Sequence, residues 1–217
     1  MKRHHLVYLD EKYLYDEVCE EKHKKVFISW IKNAHPFIVA KQEDQKSEKI
    51  RLGFLLPLEK GKHRVSLLID KKVLIKSSKP PKLSRIISSL DEKWQEPLAQ
   101  LIHSFEELKI NLLVFGSAMW QYYVKKRYMS DSSDIDLLWT CFCPNKLNTA
   151  LLILKQWREK YSLNIDGEVE FKEGFSCSWQ ELLNEDEKLI VRTLTSVSLE
   201  LKTKYFKKLK GIYNVKT

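Results

Sequence analysis

The rhythm of apolar and polar positions divides the chain into short segments of two kinds. Ile50 to Leu56 and Arg64 to Ile69 read as strands, and Glu59-Lys60-Gly61-Lys62 between them supplies a glycine-containing turn, so the pair predicts a β-hairpin. Ahead of them, Val26 to Ile31 carries a helical apolar cluster and Pro36 to Ala40 an extended one. Further on, Leu98, Leu101, Ile102, Phe105 and Leu108 follow helical spacing behind Pro97, a residue suited to the first turn of a helix. Leu112 to Phe115 predicts a short buried strand, Ala118 to Tyr128 a helix, and Ile135 to Thr140 another strand. Pro144-Asn145 opens a helix that turns Leu147, Leu151, Leu154 and Trp157 inward. A strand from Leu163 to Phe171 follows, then a short helix at Trp179 to Leu183. Strands at Leu189 to Leu194 and Val197 to Leu201 and a basic helix from Lys202 to Lys210 complete the series.

Ser77-Ser78-Lys79-Pro80-Pro81 interrupts this pattern. Two consecutive prolines disfavour a helix and lack amide donors, so the stretch should be extended and exposed. It marks a boundary between a small N-terminal α+β domain, residues 1–78, and a second α+β domain, residues 79–217, whose strands carry helices on one side.

Bulk properties narrow the function. At 217 residues, with 43% hydrophobic and 31% charged positions, the chain has the composition of a soluble globular protein. No apolar run approaches the length of a membrane span, and the first ten residues lack a signal-peptide pattern, so a cytoplasmic location is expected. Cys19, Cys141, Cys143 and Cys177 include no Cys-x-x-Cys pair, and the six histidines include no metal-type helical pair. These features argue for reduced thiols and against zinc. The net charge of +9 favours an anionic partner: a polyphosphate, an acidic protein or nucleic acid.

The candidate chemistry sits in Val114-Phe115-Gly116-Ser117-Ala118 and Ser133-Asp134-Ile135-Asp136-Leu137. Aspartates at i and i+2 of a strand point the same way. Two crowded carboxylates resist ionisation unless a hard cation such as Mg²⁺ offsets their charge. Gly116 permits close backbone approach to an anion, and the helix that begins there aims the amides of Gly116, Ser117 and Ala118 at a phosphate. Such a constellation suits phosphoryl or nucleotidyl transfer. A third carboxylate is expected from Asp166, Glu168 and Glu170, which alternate along a strand, with Asp166 ranked first and Glu168 second. Asp166-Gly167 also reads as a plain turn. Lys62, Arg64, Lys125, Lys126 and Arg127 are candidate phosphate contacts, and Asp131-Ser132-Ser133 reads as a loop and capping sequence.

The order apolar-Gly-Ser, helix, Asp-apolar-Asp, later strand carboxylate resembles the DNA polymerase β-like nucleotidyltransferase superfamily. More narrowly, Phe115 to Gln121 and Ser133 to Leu138 resemble the phosphoribosyl-dephospho-CoA transferases of malonate decarboxylase, its holo-acyl-carrier-protein synthases. Arg3-His4-His5-Leu6-Val7, Leu52 to Pro57, Gly61 to Arg64, Pro80 to Leu83, Ile165 to Glu168 and Ser178 to Leu182 extend the likeness over nearly the whole chain. Two positions depart from the family's pattern. Tyr122-Tyr123-Val124 replaces a Leu-Thr-Gly stretch, and Gln180 stands where the family has Arg.

The resemblance implies a polymerase β palm-like mixed sheet with flanking helices. It implies Asp134 and Asp136 as the metal-binding catalytic pair, with Mg²⁺ as cofactor. It also implies a triphosphoribosyl-dephospho-CoA donor, an acceptor serine on the acyl carrier protein subunit of malonate decarboxylase, and release of pyrophosphate. Two alternatives rank behind it: a nucleotidyltransferase acting on an RNA end or a small molecule, and a non-catalytic nucleic-acid-binding protein.

Overall fold

A computed structural model describes residues 1–12, 20–141 and 143–206. The chain is α+β, built on two sheets. The first contains β1 (Leu6–Leu9), β2 (Phe37–Val39), β3 (Lys49–Leu55), β4 (Arg64–Asp70) and β5 (Leu74–Ser78), ordered β4-β3-β2-β1-β5 with every neighbour antiparallel. β3 and β4 form the expected hairpin, closed where Leu55 pairs with Arg64. On β4, Val65, Leu67 and Ile69 are buried while Arg64, Ser66 and Leu68 face out, the two-residue period of a sheet with one face on the core. Helix α1 (Lys24–Lys32) closes that face with Phe27, Trp30 and Ile31. Trp30 packs on Phe54 at 4.6 Å and on Trp120 at 5.4 Å between ring centroids, so its aromatic cluster reaches into the second half of the chain.

The second sheet contains β6 (Leu113–Phe115), β7 (Ile135–Cys141), β8 (Ile165–Phe171), β9 (Ser176–Ser178), β10 (Lys188–Arg192) and β11 (Val197–Leu201), ordered β11-β10-β9-β8-β7-β6. Only β7 and β8 run parallel, which makes the sheet mixed. A parallel pair needs a crossover, and the long helix α5 (Pro144–Tyr161) provides it, turning Leu147, Leu151, Leu154 and Trp157 inward as its spacing predicts. The remaining helices are α2 (Leu83–Ile86), α3 (Glu92–Glu107), α4 (Gly116–Val124), α6 (Trp179–Leu183) and α7 (Lys202–Phe206). α3 and α5 pack together, joined by a 2.7 Å hydrogen bond from Trp157 Nε1 to the Pro97 carbonyl. Cys19 and the Lys207 to Lys210 part of the basic C-terminal helix lie outside the described residues.

Three expectations are corrected. Helix α3 starts at Glu92 behind Asp91, and Pro97 lies inside it, because the acidic residues at its start favour the N-terminus there. Helix α4 ends at Val124 instead of Tyr128: Lys125 turns left-handed (φ 57°), and the Gln121 side chain accepts the amides of Tyr128 and Met129, folding the chain back. The Pro80-Pro81 stretch is extended but buried. The Pro81 carbonyl accepts the Val114 amide at 2.9 Å, and Lys82 bridges to Leu113, so the stretch lines the outer edge of β6.

Candidate active site

Register builds the site. Phe115 pairs with Asp136 across β6 and β7, and Asp136 pairs with Asp166 across β7 and β8. Partners in register share a face of the sheet, so the end of β6, Asp136 and Asp166 form one transverse row. Asp134 lies one residue before β7 and is exposed. It still turns toward the row: Asp134, Asp136 and Asp166 each offer a carboxylate oxygen, and these three lie within 4.8 Å of one another. Gly167 is not part of a turn. It sits inside β8 with φ 142°, where a Cβ would come 1.9 Å from the Leu137 carbonyl, and its amide donates to Asp166 Oδ1 at 2.7 Å.

Gly116 closes the row from the other side. It opens α4 with φ 66°, and a Cβ there would stand 1.8 Å from Asp136 Oδ2. The missing side chain is what lets the helix start lie against the carboxylate. Helix N-termini leave their first amides without intrahelical acceptors, so Gly116, Ser117 and Ala118 present donors at this edge of the cluster.

Electrostatics fit a cation site. Burial, then the charges of Asp134 and Asp166, push the Asp136 carboxyl up to about 7, and Arg64 and Lys62 offset part of that rise. Three crowded anionic oxygens are the donor set of a hard cation, and a bound positive charge would remove the repulsion that holds Asp136 up. The two basic residues come from the N-terminal hairpin, Lys62 from its turn and Arg64 from the start of β4.

The other candidates lie elsewhere. Lys125 caps the far end of α4 from Gly116, with its ammonium 4.5 Å from the centre of the Tyr122 ring. Lys126 pairs with Glu59 at 2.5 Å, and Arg127 with Asp131 at 3.4 Å. Glu168 shares the aspartates' face of β8 but is held apart by its own partners. Arg3 Nη2 lies 3.3 Å from Glu168 Oε1, His4 Nε2 3.4 Å from Oε2, and Ser176 Oγ donates to Oε2 at 2.5 Å. Burial alone would raise this carboxyl; His4, the Arg3 guanidinium and the Ser176 hydroxyl outweigh it and hold Glu168 at about 2. Glu170 pairs with Lys2 at 3.0 Å. Reasoning from the sequence missed this N-terminal clasp, although Arg3-His4 lay in plain view in the opening motif. The His4 ring also packs on Phe115 at 4.2 Å, one residue before Gly116.

Comparison with known proteins gives two family matches in chain order. The model of the phosphoribosyl-dephospho-CoA transferase MdcG N-terminal domain matches residues 2–80, and that of the MdcG C-terminal domain matches residues 82–202. A phosphoribosyl-dephospho-CoA transferase of Xanthomonas campestris pv. campestris (strain 8004) is 27% identical over 165 residues, covering 76% of this chain and 78% of the relative. One from Xanthomonas axonopodis pv. citri (strain 306) is 26% identical over 192 residues, 88% of this chain and 90% of the relative. One from Bradyrhizobium diazoefficiens is 24% identical over 170 residues, with 78% and 75% covered. No solved structure matches. The C-terminal match contains the three aspartates and Gly116, the N-terminal match contains the hairpin that brings Lys62 and Arg64 to them, and with both matched in order this chain belongs to the phosphoribosyl-dephospho-CoA transferase MdcG family.

Proposed function

We propose that the chain moves the 2′-(5″-phosphoribosyl)-3′-dephospho-CoA group from its triphosphate precursor to a serine hydroxyl on the acyl carrier subunit of malonate decarboxylase. The observation that carries this reading is the contact of Gly116 with Asp136 in a row completed by Asp134 and Asp166, within a chain of this family. A bond forms between the serine oxygen and the phosphorus next to the ribose. The phosphoanhydride bond on that phosphorus breaks, pyrophosphate leaves, and the hydroxyl proton is released.

Asp134, Asp136 and Asp166 would hold Mg²⁺, which when bound supplies charge neutralisation at the phosphates and lowers the pKa of the attacking hydroxyl. The amides that open α4 at Gly116, Ser117 and Ala118, with the Ser117 hydroxyl, hold the outer phosphates that become pyrophosphate. Lys62 and Arg64 of the N-terminal hairpin add positive charge that acts on Asp136. In this reading residues 1–78 and 79–217 act as two domains, the first lending its hairpin to the catalytic face of the second, and the reaction runs in the cytoplasm. The net charge of +9 draws an acidic carrier protein and makes its association rate fall with salt.

The test is mass spectrometry of purified apo carrier subunit after incubation with this protein, the triphosphate donor and Mg²⁺. The expected result is a mass gain equal to the prosthetic group, with pyrophosphate released in equal amount. An unmodified carrier would overturn the reading.

A further inference from the structure

The far end of α4 holds a second feature that the chemistry at Gly116 leaves unused. A crevice of about 220 Å³ opens between α1, the turn after β3 and the end of α4. Its apolar wall comes from Val26, Pro57 and Val124, and Ser29 and Asn33 supply polar groups along one side. Lys60 and Lys126 stand at its rim. Drug-sized ligands occupy pockets of about 300–1,000 Å³, so this space takes one arm of a larger ligand.

Two structural elements run between the crevice and the aspartates. Helix α4 has Gly116 against Asp136 at one end and Val124 in the crevice wall at the other, about 12 Å apart at the helical rise. The hairpin turn likewise places Lys60 at the crevice and Lys62 where its charge is felt by Asp136. A ligand reacting at the aspartates and lying along this turn would pass Lys62 and reach Lys60.

We propose that the crevice binds the pantetheine arm of the donor, with Lys60 on the diphosphate that joins this arm to the nucleoside. The inference rests on the proposed reaction and assigns a subsite within it. The arm combines branched and linear hydrocarbon with amides, and the crevice offers Val26, Pro57 and Val124 to the hydrocarbon and Ser29, with Asn33 donating to it, along its polar side. A diphosphate between nucleoside and arm meets Lys60 at the mouth, beside the Lys126–Glu59 pair. Adenine fits less well. It needs an open aromatic face, and neither ring at this site offers one: Trp30 is 3% exposed, packed on Phe54 and Trp120, with its Nε1 already donating to the Pro36 carbonyl, and His35 is half-buried and set edge-on to Trp30 at 5.1 Å.

Ser29→Trp tests the assignment on the full chain. Ser29 is exposed on α1, so the indole fills the crevice without entering the core. Dephospho-CoA and ADP are titrated separately by calorimetry, and donor KM and kcat are measured with carrier protein in excess. The expected result is that dephospho-CoA binding weakens and donor KM rises, each by at least about tenfold, with kcat and ADP binding little changed. Lys60→Glu, which adds no bulk, should weaken dephospho-CoA binding in the same direction. Unchanged dephospho-CoA binding in Ser29→Trp overturns the proposal, as does an equal loss of ADP binding, which would put the adenine in the crevice. If the wild type binds dephospho-CoA in a Ser29→Trp-sensitive way yet leaves apo carrier unmodified, the crevice assignment stands and the acceptor assignment fails.

Discussion

Gly116 and Asp136 touch across the β6–β7 pair, with Asp136 Oδ2 standing 1.8 Å from where a Cβ on Gly116 would be. The contact explains why the residue is glycine twice over. The backbone there has φ 66°, which other L-residues seldom adopt, and the space a side chain needs is occupied by a carboxylate. In the proposed reaction it ties two tasks together, because the turn whose amides would receive a phosphate also sets the position of an oxygen of the candidate cation site.

Gly116→Ala should therefore act on both tasks. Moving the carboxylate away from a new methyl group displaces one of three oxygens that lie within 4.8 Å of one another. Transfer should fall by at least about 10²-fold, the scale of losing one preorganised electrostatic group. Far-UV circular dichroism should be retained. A single-turnover rate within a few fold of wild type would show that the contact has no role in the reaction.

Asp134→Asn, Asp136→Asn and Asp166→Asn should each lower transfer by at least about 10²-fold and reduce the rise in melting temperature on adding Mg²⁺. Stability without cation should move the other way. Asp136 is pushed up to about 7 by burial and by two neighbouring acids, so an amide there removes a destabilising charge. In chelator, Asp136→Asn should melt no lower than wild type. A variant that melts well below wild type would instead mark the aspartate as a structural anchor.

Much of this architecture was legible because periodicity and turn chemistry agree. The β3–β4 hairpin and the inward stripe of α5 follow from local pattern alone, whereas Asp134 reaches Asp136 from just before β7 rather than by strand alternation. What was hidden depends on partners far away in sequence. β1 and β9 are four and three residues long and carry little periodic signal, yet sheet neighbours fix them. Pro80 and Pro81 are buried because the edge of β6 is there to receive them, a fact no local propensity contains. Glu168 alternates with Asp166 as expected, but only coordinates reveal that Arg3, from the opposite end of the chain, pairs with it.

Glu168 is accordingly predicted to hold structure in place, and pH separates that role from catalysis. Its folded value of about 2 lies below the ordinary 4.5. The stabilisation is fully present above pH 4.5 and is lost as pH falls through about 2, on the order of 3 kcal/mol in all. Glu168→Gln should lower stability near neutral pH and flatten the fall in stability between pH 4.5 and 2, measured by urea unfolding across that range. Mg²⁺-dependent transfer should survive in the folded fraction. Full stability combined with abolished transfer would move Glu168 into the chemistry.

Tyr128 gives a test of how firmly the segment after α4 holds the end of β3. It is fully buried, and its hydroxyl donates at 3.0 Å to the carbonyl of Leu55, the last residue of β3. Burial raises the phenol well above its usual range, so it stays neutral and keeps its proton for that bond. Tyr128→Phe preserves the packing and leaves the Leu55 carbonyl without this donor, which should cost about 1–2 kcal/mol. Leu55 pairs with Arg64, whose charge bears on Asp136. Loosening that end of the hairpin should therefore raise donor KM more than it lowers kcat. Denaturant melts combined with steady-state kinetics check both parts, and a loss of stability with an unchanged KM would separate the Tyr128–Leu55 bond from donor binding.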